Sequence, residues 1–273
     1  MYITNRPEVA LIAEHAGVDR VFVDMEYIGK DQRQAGLNTV QNHHTVEDIR
    51  AVRDVLTHAQ LMVRVNPIHN ATTDYNSSEE EINAAINAGA DVIMLPYFKT
   101  PEEIRRAAGI IGGRARFMPL LETPEAAETV DDILAVPGID EIHIGINDLA
   151  LGYGKKFMFE MLADGIVERL CGRCRAAGIP YGFGGVAAIG SGTLPAEVIL
   201  AEHYRLSSSF VILSRSFCDP NGPLDMIRER FESGVRDIRA FERTLTENGV
   251  DYDANRRRLN ETVAQIVSAM NRS

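Results

Sequence analysis

Phe117-Met-Pro-Leu-Leu-Glu-Thr-Pro-Glu125 is read together with Ile142-His-Ile-Gly-Ile-Asn-Asp-Leu-Ala150. Each is a short apolar run that reaches a carboxylate, Glu122 or Asp148, and then turns into a helix. The segment between them has the length of a βαβ crossover, which makes the two runs neighbouring parallel strands. Two acids at the same end of adjacent strands suit one shared divalent cation. A carboxylate pair selects a hard ion, Mg²⁺ or Mn²⁺, whose other positions are filled by water or substrate oxygens. The competing reading is local, with Glu122 and Asp148 capping their own helix and turn.

Working outward, the same alternation recurs along the chain. Apolar runs at Met1–Thr4, Val21–Asp24, Leu61–Val65, Val92–Leu95, Pro180–Phe183 and Phe210–Leu213 complete a set of eight. They are continuous rather than alternating, as expected of strands buried on both faces. Helical segments separate them. Thr45-Val-Glu-Asp48 and Ser77 followed by acids open two helices as caps, Thr100-Pro101 opens a third, and Asn5 is expected to cap the first. Pro124–Ala135, Phe157–Ala177 and Pro195–Tyr204 are expected helices. The pattern predicts a (β/α)8 TIM barrel over residues 1–222. A doubly wound sheet is the alternative, but no GxGxxG follows the first strand. Residues 223–273 hold two further amphipathic helices, a C-terminal extension expected to pack on the barrel or on a neighbouring subunit.

Composition narrows the function. The chain has 273 residues, 45% of them hydrophobic, and a formal net charge of -11. That balance excludes nucleic acid as an expected partner, because phosphate backbones select basic surfaces. A small anionic substrate is compatible, since it meets only the local field of a pocket. No run has the length of a membrane span and no signal-peptide layout opens the chain, so no membrane partner and a cytoplasmic location are expected. Cys171, Cys174 and Cys218 suit a reducing compartment. The Cys171–Cys174 pair lies in an expected helix without a second pair and reads as structural.

In a barrel, site residues stand at the C-terminal ends of strands. Asp24, Glu26, Arg64, Glu122 and Asp148 all meet that condition. The Gly-rich loop Gly182–Gly192 and Ser214-Arg-Ser216 follow the seventh and eighth strands, where barrels often bind phosphate. Gly184 and Arg215 are therefore candidate contacts for a second, remote anionic group on the substrate.

Leu-Leu-Glu-Thr-Pro-Glu-Ala (120–126), His-Ile-Gly-Ile-Asn-Asp-Leu-Ala (143–150), Val-Arg-Val-Asn-Pro (63–67) and Ala-Gly-Ala-Asp-Val-Ile-Met-Leu-Pro (88–96) resemble the HpcH/HpaI aldolase and citrate lyase β-subunit superfamily. The likeness covers about Pro7 to Phe217. It implies a TIM barrel that binds pyruvate, an acyl-CoA or a related enolate precursor through a divalent metal. By position, Glu122 and Asp148 correspond to metal ligands and Arg64 to the arginine at the enolate oxygen. Asn147 and nearby backbone N–H groups would shape the carboxylate pocket. The resemblance also implies a homo-oligomer, a trimer or hexamer, whose last barrel helix is exchanged between subunits.

This chain departs from the aldolase pattern. Tyr27 stands where the family's histidine follows the second strand's Asp-x-Glu, here Asp24-Met-Glu26, and Asn87 stands where the acid partnering it is expected. Leu120 replaces a glutamine two positions before Glu122, and Asn147 a small residue before Asp148. Asp24-Met-Glu26, Val-Arg-Val-Asn-Pro (63–67), Lys30 and Arg33 lean toward the citrate lyase side, which expects an acid where Tyr27 stands, so the chain reads as an intermediate branch. The usual acid/base dyad is missing, and Glu26, Tyr27, His43 and His44 are candidate replacements. His43 and His44 read as a solvated loop, His15, His58 and His203 as helix-surface or packing residues, and His143 as buried and hydrogen-bonded.

The expected activity is a divalent-metal-dependent carbon–carbon lyase working through a pyruvate-type enolate. Its substrate would be a small acidic molecule, pyruvate-like, with a phosphorylated or CoA-linked variant in reach. Arg64 and Glu26 are the expected catalytic groups, and Arg64, Asn147, Asp24, Tyr27, Gly184 and Arg215 the expected substrate contacts. No strand end carries a buried lysine for Schiff-base chemistry, since Lys99 and Lys155 fall in polar turns. The alternatives are a citrate lyase, malyl-CoA lyase or phosphoenolpyruvate-type reaction, and a binding protein that has lost turnover.

Overall fold

The computed structural model describes residues 1–29 and 43–272. Lys30, Arg33 and most of the Gly29–His44 loop therefore lie outside the described residues. The described residues form eight parallel strands hydrogen-bonded in chain order: β1 (Tyr2–Ile3), β2 (Arg20–Asp24), β3 (Gln60–Arg64), β4 (Val92–Leu95), β5 (Arg116–Leu121), β6 (Ile142–Ile144), β7 (Tyr181–Val186) and β8 (Phe210–Leu213). The edge strands meet: the Leu213 amide donates to the Met1 carbonyl (2.8 Å), and the Met1 amino group donates to the Val211 carbonyl (2.9 Å). The TIM-type barrel expected from the sequence is the fold observed.

The intervening helices lay apolar faces on the sheet, and four of them start on a side-chain cap, Thr45, Ser77, Thr100 or Thr123. The helices are α1 (Pro7–His15), α2 (Val46–Arg53), α3 (Ser78–Asn87), α4 (Pro101–Ile111), α5 (Pro124–Glu128), α6 (Val130–Leu134), α7 (Ile146–Gly152), α8 (Glu160–Ala163), α9 (Ile166–Ala176) and α10 (Ala196–Arg205). Thr45, Ser77 and Thr100 each accept from the N3 amide while the N3 acid returns the bond to the cap residue. Asn5 does not cap α1; the N-cap residue is Arg6, and the Asn5 side chain donates to Asp48 instead. The expected Phe157–Ala177 helix is two pieces, because Gly165 takes a left-handed φ of 82° between α8 and α9.

The C-terminal helices α11 (Leu224–Asn248) and α12 (Tyr252–Met270) pack on this chain's own barrel. Helix α11 lies against α1 and α10, with Phe231 buried edge-on to Tyr2. Helix α12 buries Leu259 and Val263, and Asn255 and Arg256 reach Glu202 and the Leu162 carbonyl. No helix of the described residues is long and apolar enough to cross a membrane.

Strand side chains alternate between the barrel interior and the helical layer. Phe22, Met62, Val92, Met94, Met118 and Leu120 form a separate interior cluster. The methionines suit this irregular space, since an unbranched thioether adapts to neighbours of mixed shape. Below that cluster the interior is sealed by charge. Arg20 makes two bonds to Glu141 (2.8 and 3.1 Å) and two to Gln60 (3.1 and 2.6 Å), and Arg116 also pairs with Glu141. Burial opposes the Glu141 charge, but the two arginines win and hold its carboxyl below the ordinary range. Removing one partner strands the other charge. Glu141→Ala is therefore expected to cost about 3 kcal/mol of stability, read as a lowered urea midpoint.

Glu14, at the end of α1, ties that helix to the entrance of β3. It accepts from the amides of Thr57 (2.9 Å), His58 (2.7 Å) and Ala59 (2.7 Å) and from the Thr57 hydroxyl (3.1 Å). Burial pushes its pKa up, but these bonds to the ionised form overcome it and hold the group at about 2, against an ordinary 4.5. A depressed folded pKa gives stability that is full above the unfolded value and is lost as pH falls through the folded one. Glu14→Gln is expected to erase the part of the acid destabilisation that falls between about pH 4.5 and 2, measured by urea titration at stepped pH.

Candidate active site at the C-terminal mouth

The period of two that buries Phe22, Met62 and Leu120 also turns Asp24, Arg64 and Glu122 inward at the C-terminal ends of β2, β3 and β5. Asp24 is fully buried, Glu26 is 1% exposed and Glu122 4% exposed. Arg64 bridges the first two. Its Nε and Nη2 each lie 2.7 Å from an Asp24 oxygen, and Nε lies 3.2 Å from Glu26. Its carbon Cζ sits 5.3 Å over the Phe22 ring. Burial works against the guanidinium charge, but Asp24, Glu26 and Glu122 outweigh it, and the pKa is raised above its ordinary value. Arg64 is thus a fixed cation. Nη1 takes no partner among the described residues.

Glu122 does not cap its helix. Thr123 does, accepting from the Ala126 amide (3.2 Å) and donating to the Phe98 carbonyl (2.7 Å). Glu122 instead accepts from the Tyr97 amide at Oε1 (3.0 Å). The β5–β6 register pairs Leu121 with Ile144, which sets Glu122 level with Gly145. A Cβ on Gly145 would lie 2.7 Å from Glu122 Oε2, so glycine is required there by the close approach of the carboxylate. Asp148 is not on the strand: it stands in the first turn of α7, three residues past Gly145, and is half-buried. Asn147 is exposed and its amide donates to Asp148 Oδ1 (3.1 Å).

The second-strand tip is more ordered than the sequence suggested. His44 is no free loop residue, since its Nδ1 accepts the Asp24 amide (3.0 Å). With Nδ1 an acceptor, the neutral ring carries its proton on Nε2. Tyr27 is held by its amide, which donates to Asn66 Oδ1 (2.9 Å), as does the Ile28 amide (2.9 Å). Its ring lies among Tyr75 (5.5 Å between centroids) and the exposed His43 (5.9 Å). Burial, then Glu81 and Tyr75, raise the Tyr27 pKa, so the phenol stays protonated at neutral pH and can serve as a donor.

Two residues of this region escaped the sequence reading. Asn66, 2% exposed, takes both loop amides and donates through Nδ2 to Glu81 (2.7 Å). Burial raises the Glu81 pKa, against the bonds it accepts from Asn66. Asn66 was visible within Val-Arg-Val-Asn-Pro, but Glu81 looked like one more acid in the first turn of α3. Asn66→Ala would leave the Tyr27 and Ile28 amides and Glu81 without their shared partner. A loss of about 2 kcal/mol is expected in a denaturant titration, with faster amide exchange at Tyr27 and Ile28.

The seventh and eighth strand ends are governed by packing. A Cβ on Gly182 would fall 2.2 Å from the Phe210 carbonyl oxygen, so that glycine admits β8. The Gly190 amide is taken by Glu197 (2.9 Å). Gly184, at φ 54°, abuts Ile146, and its carbonyl meets His143 Nε2 (3.2 Å). Arg215 is exposed beside the Ser214–Ser216 hydroxyl pair. His143 is buried as expected, its pKa pushed down to about 3 by burial, but its Nδ1 has no partner among the described residues. His203 is buried too, stacked 3.8 Å from the Phe183 ring. The three cysteines are buried and unpaired, and burial pushes Cys174 up to about 12, against reactivity. Lys99 and Lys155 pair with Glu125 and Asp164, outside the barrel mouth.

A cavity of about 280 Å³ lies at the opposite, N-terminal end, lined by Arg20, Gln60, His203, Val235 and Arg239 among others. Its arginines are already paired, Arg20 with Glu141 and Arg239 with Asp19 and Glu242. It therefore brings no catalytic set together. Among the described residues no group of three or more His, Cys, Asp or Glu is arranged to hold a metal ion. The pair Glu122 and Asp148 offers oxygen donors alone, which fits a hard cation completing its shell with water or substrate and does not fit zinc held by protein ligands only.

The family profile HpcH/HpaI aldolase/citrate lyase matches residues 2–188. No protein of curated function matches the sequence significantly. Among solved structures, an HpcH/HpaI aldolase from Desulfitobacterium hafniense DCB-2 is 17% identical with a TM-score of 0.59, covering 87% of this chain and 91% of that one. An HpcH/HpaI aldolase/citrate lyase family protein from Burkholderia cenocepacia J2315 is 16% identical with a TM-score of 0.60, covering 92% and 95%. The citrate synthase SbnG is 16% identical with a TM-score of 0.56, covering 78% and 84%.

Proposed function

Because the chain belongs to the HpcH/HpaI aldolase/citrate lyase family, we propose that it is a carbon–carbon lyase that makes or breaks a bond beside a 2-oxo or hydroxy acid through a pyruvate-type enolate. The observation that carries this reading is the state of Glu122. It is a buried carboxylate relieved of capping by Thr123, packed against Gly145 and within the field of Arg64. Glu122 and Asp148 would hold a divalent ion, Mg²⁺ or Mn²⁺. Such an ion supplies a Lewis acid for the carboxylate and 2-oxo oxygens of a pyruvate-like fragment.

The chain's own groups do the rest. Bond cleavage leaves its electron pair on the three-carbon fragment as an enolate. Arg64, whose charge is held by Asp24 and Glu26, donates from Nη1 toward the oxygen where that charge develops. Because Asp24 clamps the guanidinium in advance, no reorganisation is needed as the charge appears. Asn147 and the first amides of α7 face the substrate carboxylate at a helix N-terminus, where anions are favoured. In cleavage the substrate hydroxyl gives up its proton as the aldehyde leaves and the enolate carbon takes one up, and in bond formation the aldehyde oxygen gains one. Tyr27, kept protonated, and His44, carrying its proton on Nε2, are the donors at this edge of the mouth. Arg215, exposed after β8, would meet a remote anionic group.

One observation favours a second reading. Tyr27 replaces the histidine of the aldolase dyad, and its partner position holds Asn87, which suits a binding protein without turnover. Product analysis and calorimetry separate the two. Under the lyase reading, a panel of 4-hydroxy-2-oxo acids yields pyruvate and an aldehyde with Mg²⁺ or Mn²⁺, and chelation stops it. Glu122→Gln, Asp148→Asn and Arg64→Lys are each expected to lower kcat/KM at least ~100-fold. Tight binding of oxalate with no turnover of any substrate would establish the binding protein instead.

A further inference from the structure

Tyr97 follows the last residue of β4 and Pro96, and it has a φ of 50°. Left-handed backbone is costly for a residue with a large side chain, and it persists only where its surroundings enforce it. Here they do. Phe98 is fully buried, and its carbonyl is fixed by the Thr123 hydroxyl (2.7 Å). The next two amides, Lys99 and Thr100, both donate to Glu103 (2.7 and 2.9 Å). The ring itself is half-buried, with the Lys99 ammonium 5.7 Å from its centroid. Between the fixed Pro96 and the fixed Phe98, the left-handed turn aims one group sideways: the Tyr97 amide, which donates to Glu122 Oε1 at 3.0 Å.

We infer that Tyr97 is a positioning residue whose left-handed backbone turns its amide onto Glu122 Oε1 and so determines which carboxylate oxygen is offered to a bound cation. This rests on the metal reading of Glu122 given above. The other side of the carboxylate is bounded by Gly145, against which Oε2 lies. The carboxylate is thus held between an amide and a bare Cα, and rotation about its terminal bond would break the first contact and crowd the second. Bonds from outer groups of this kind orient a ligand and tune its affinity. The ring is secondary. Glycine would adopt the same backbone freely, so substitution separates the amide, to which the inference assigns the effect on Glu122, from the ring.

The test is Mn²⁺ affinity, measured by electron paramagnetic resonance on the full chain and independent of turnover. Tyr97→Gly and Tyr97→Asn tolerate the left-handed region and are expected to bind within about twofold of the unsubstituted protein. Tyr97→Val and Tyr97→Ile, branched at Cβ, resist it and are expected to bind about 10-fold more weakly, in line with the loss of an outer-shell partner. The isoleucine variant keeps the comparison usable if the valine variant does not fold. Equal affinity in all four variants, or weakening that follows loss of the ring in the glycine and asparagine variants, overturns the inference. Failure of the unsubstituted protein to bind Mn²⁺ overturns the metal reading itself, a separate outcome.

Discussion

The Arg64–Asp24 pair is the interaction on which the mouth of this barrel depends. A guanidinium so far removed from water is tolerated only because two parallel bonds of 2.7 Å and a second carboxylate, Glu26, surround it. The pair joins the tips of adjacent strands, so it sets the separation of β2 and β3 where the site begins. It also gives the acidic mouth a fixed cation. Asp24, Glu26 and Glu122 would repel one another in its absence, and burial would drive protons onto them.

That pair is one end of a layered interior. The N-terminal opening is sealed by Arg20, Glu141, Arg116 and Gln60, and the middle is filled by Phe22, Met62, Met94 and Met118. Charge at both ends and an apolar plug between them explain why the site faces one way. The lower pairs are mutually satisfied and present nothing to a ligand. Among the described residues the upper set gathers Asp24, Glu26 and Glu122 around Arg64, with Glu122 also bonded by the Tyr97 amide and packed against Gly145.

The rim is built by less obvious means. Asn66 accepts two successive amides of the β2 exit and is itself held by Glu81, so a loop that carries Tyr27 leaves the strand in one direction. His44 returns from the far side of the same excursion to bind the Asp24 amide. Both connections hold a polar ring, Tyr27 or His44, beside a mouth where Tyr27 stands in place of the family's histidine. Packing, by contrast, accounts for Gly182 at the start of the Gly-rich loop, which makes room for Phe210, and for Gly145, which makes room for Glu122.

The sequence by itself determined the architecture and the identity of the acidic residues. Eight continuous apolar runs between capped helices admit few other arrangements, because strands buried on both faces need cover on both sides. The strand-end positions of Asp24, Arg64 and Glu122 followed from that period. Tertiary structure alone decided what each side chain does there. It moved the capping role from Glu122 to Thr123, put Asp148 on the helix instead of the strand, split the Phe157–Ala177 segment at Gly165, and brought Asn66, Glu81 and His44 to the site. The division has a physical cause. Hydrophobic period and caps are local and can be read along the chain, whereas a hydrogen bond between residues 97 and 122, or 24 and 44, depends on where folding sets two distant backbones.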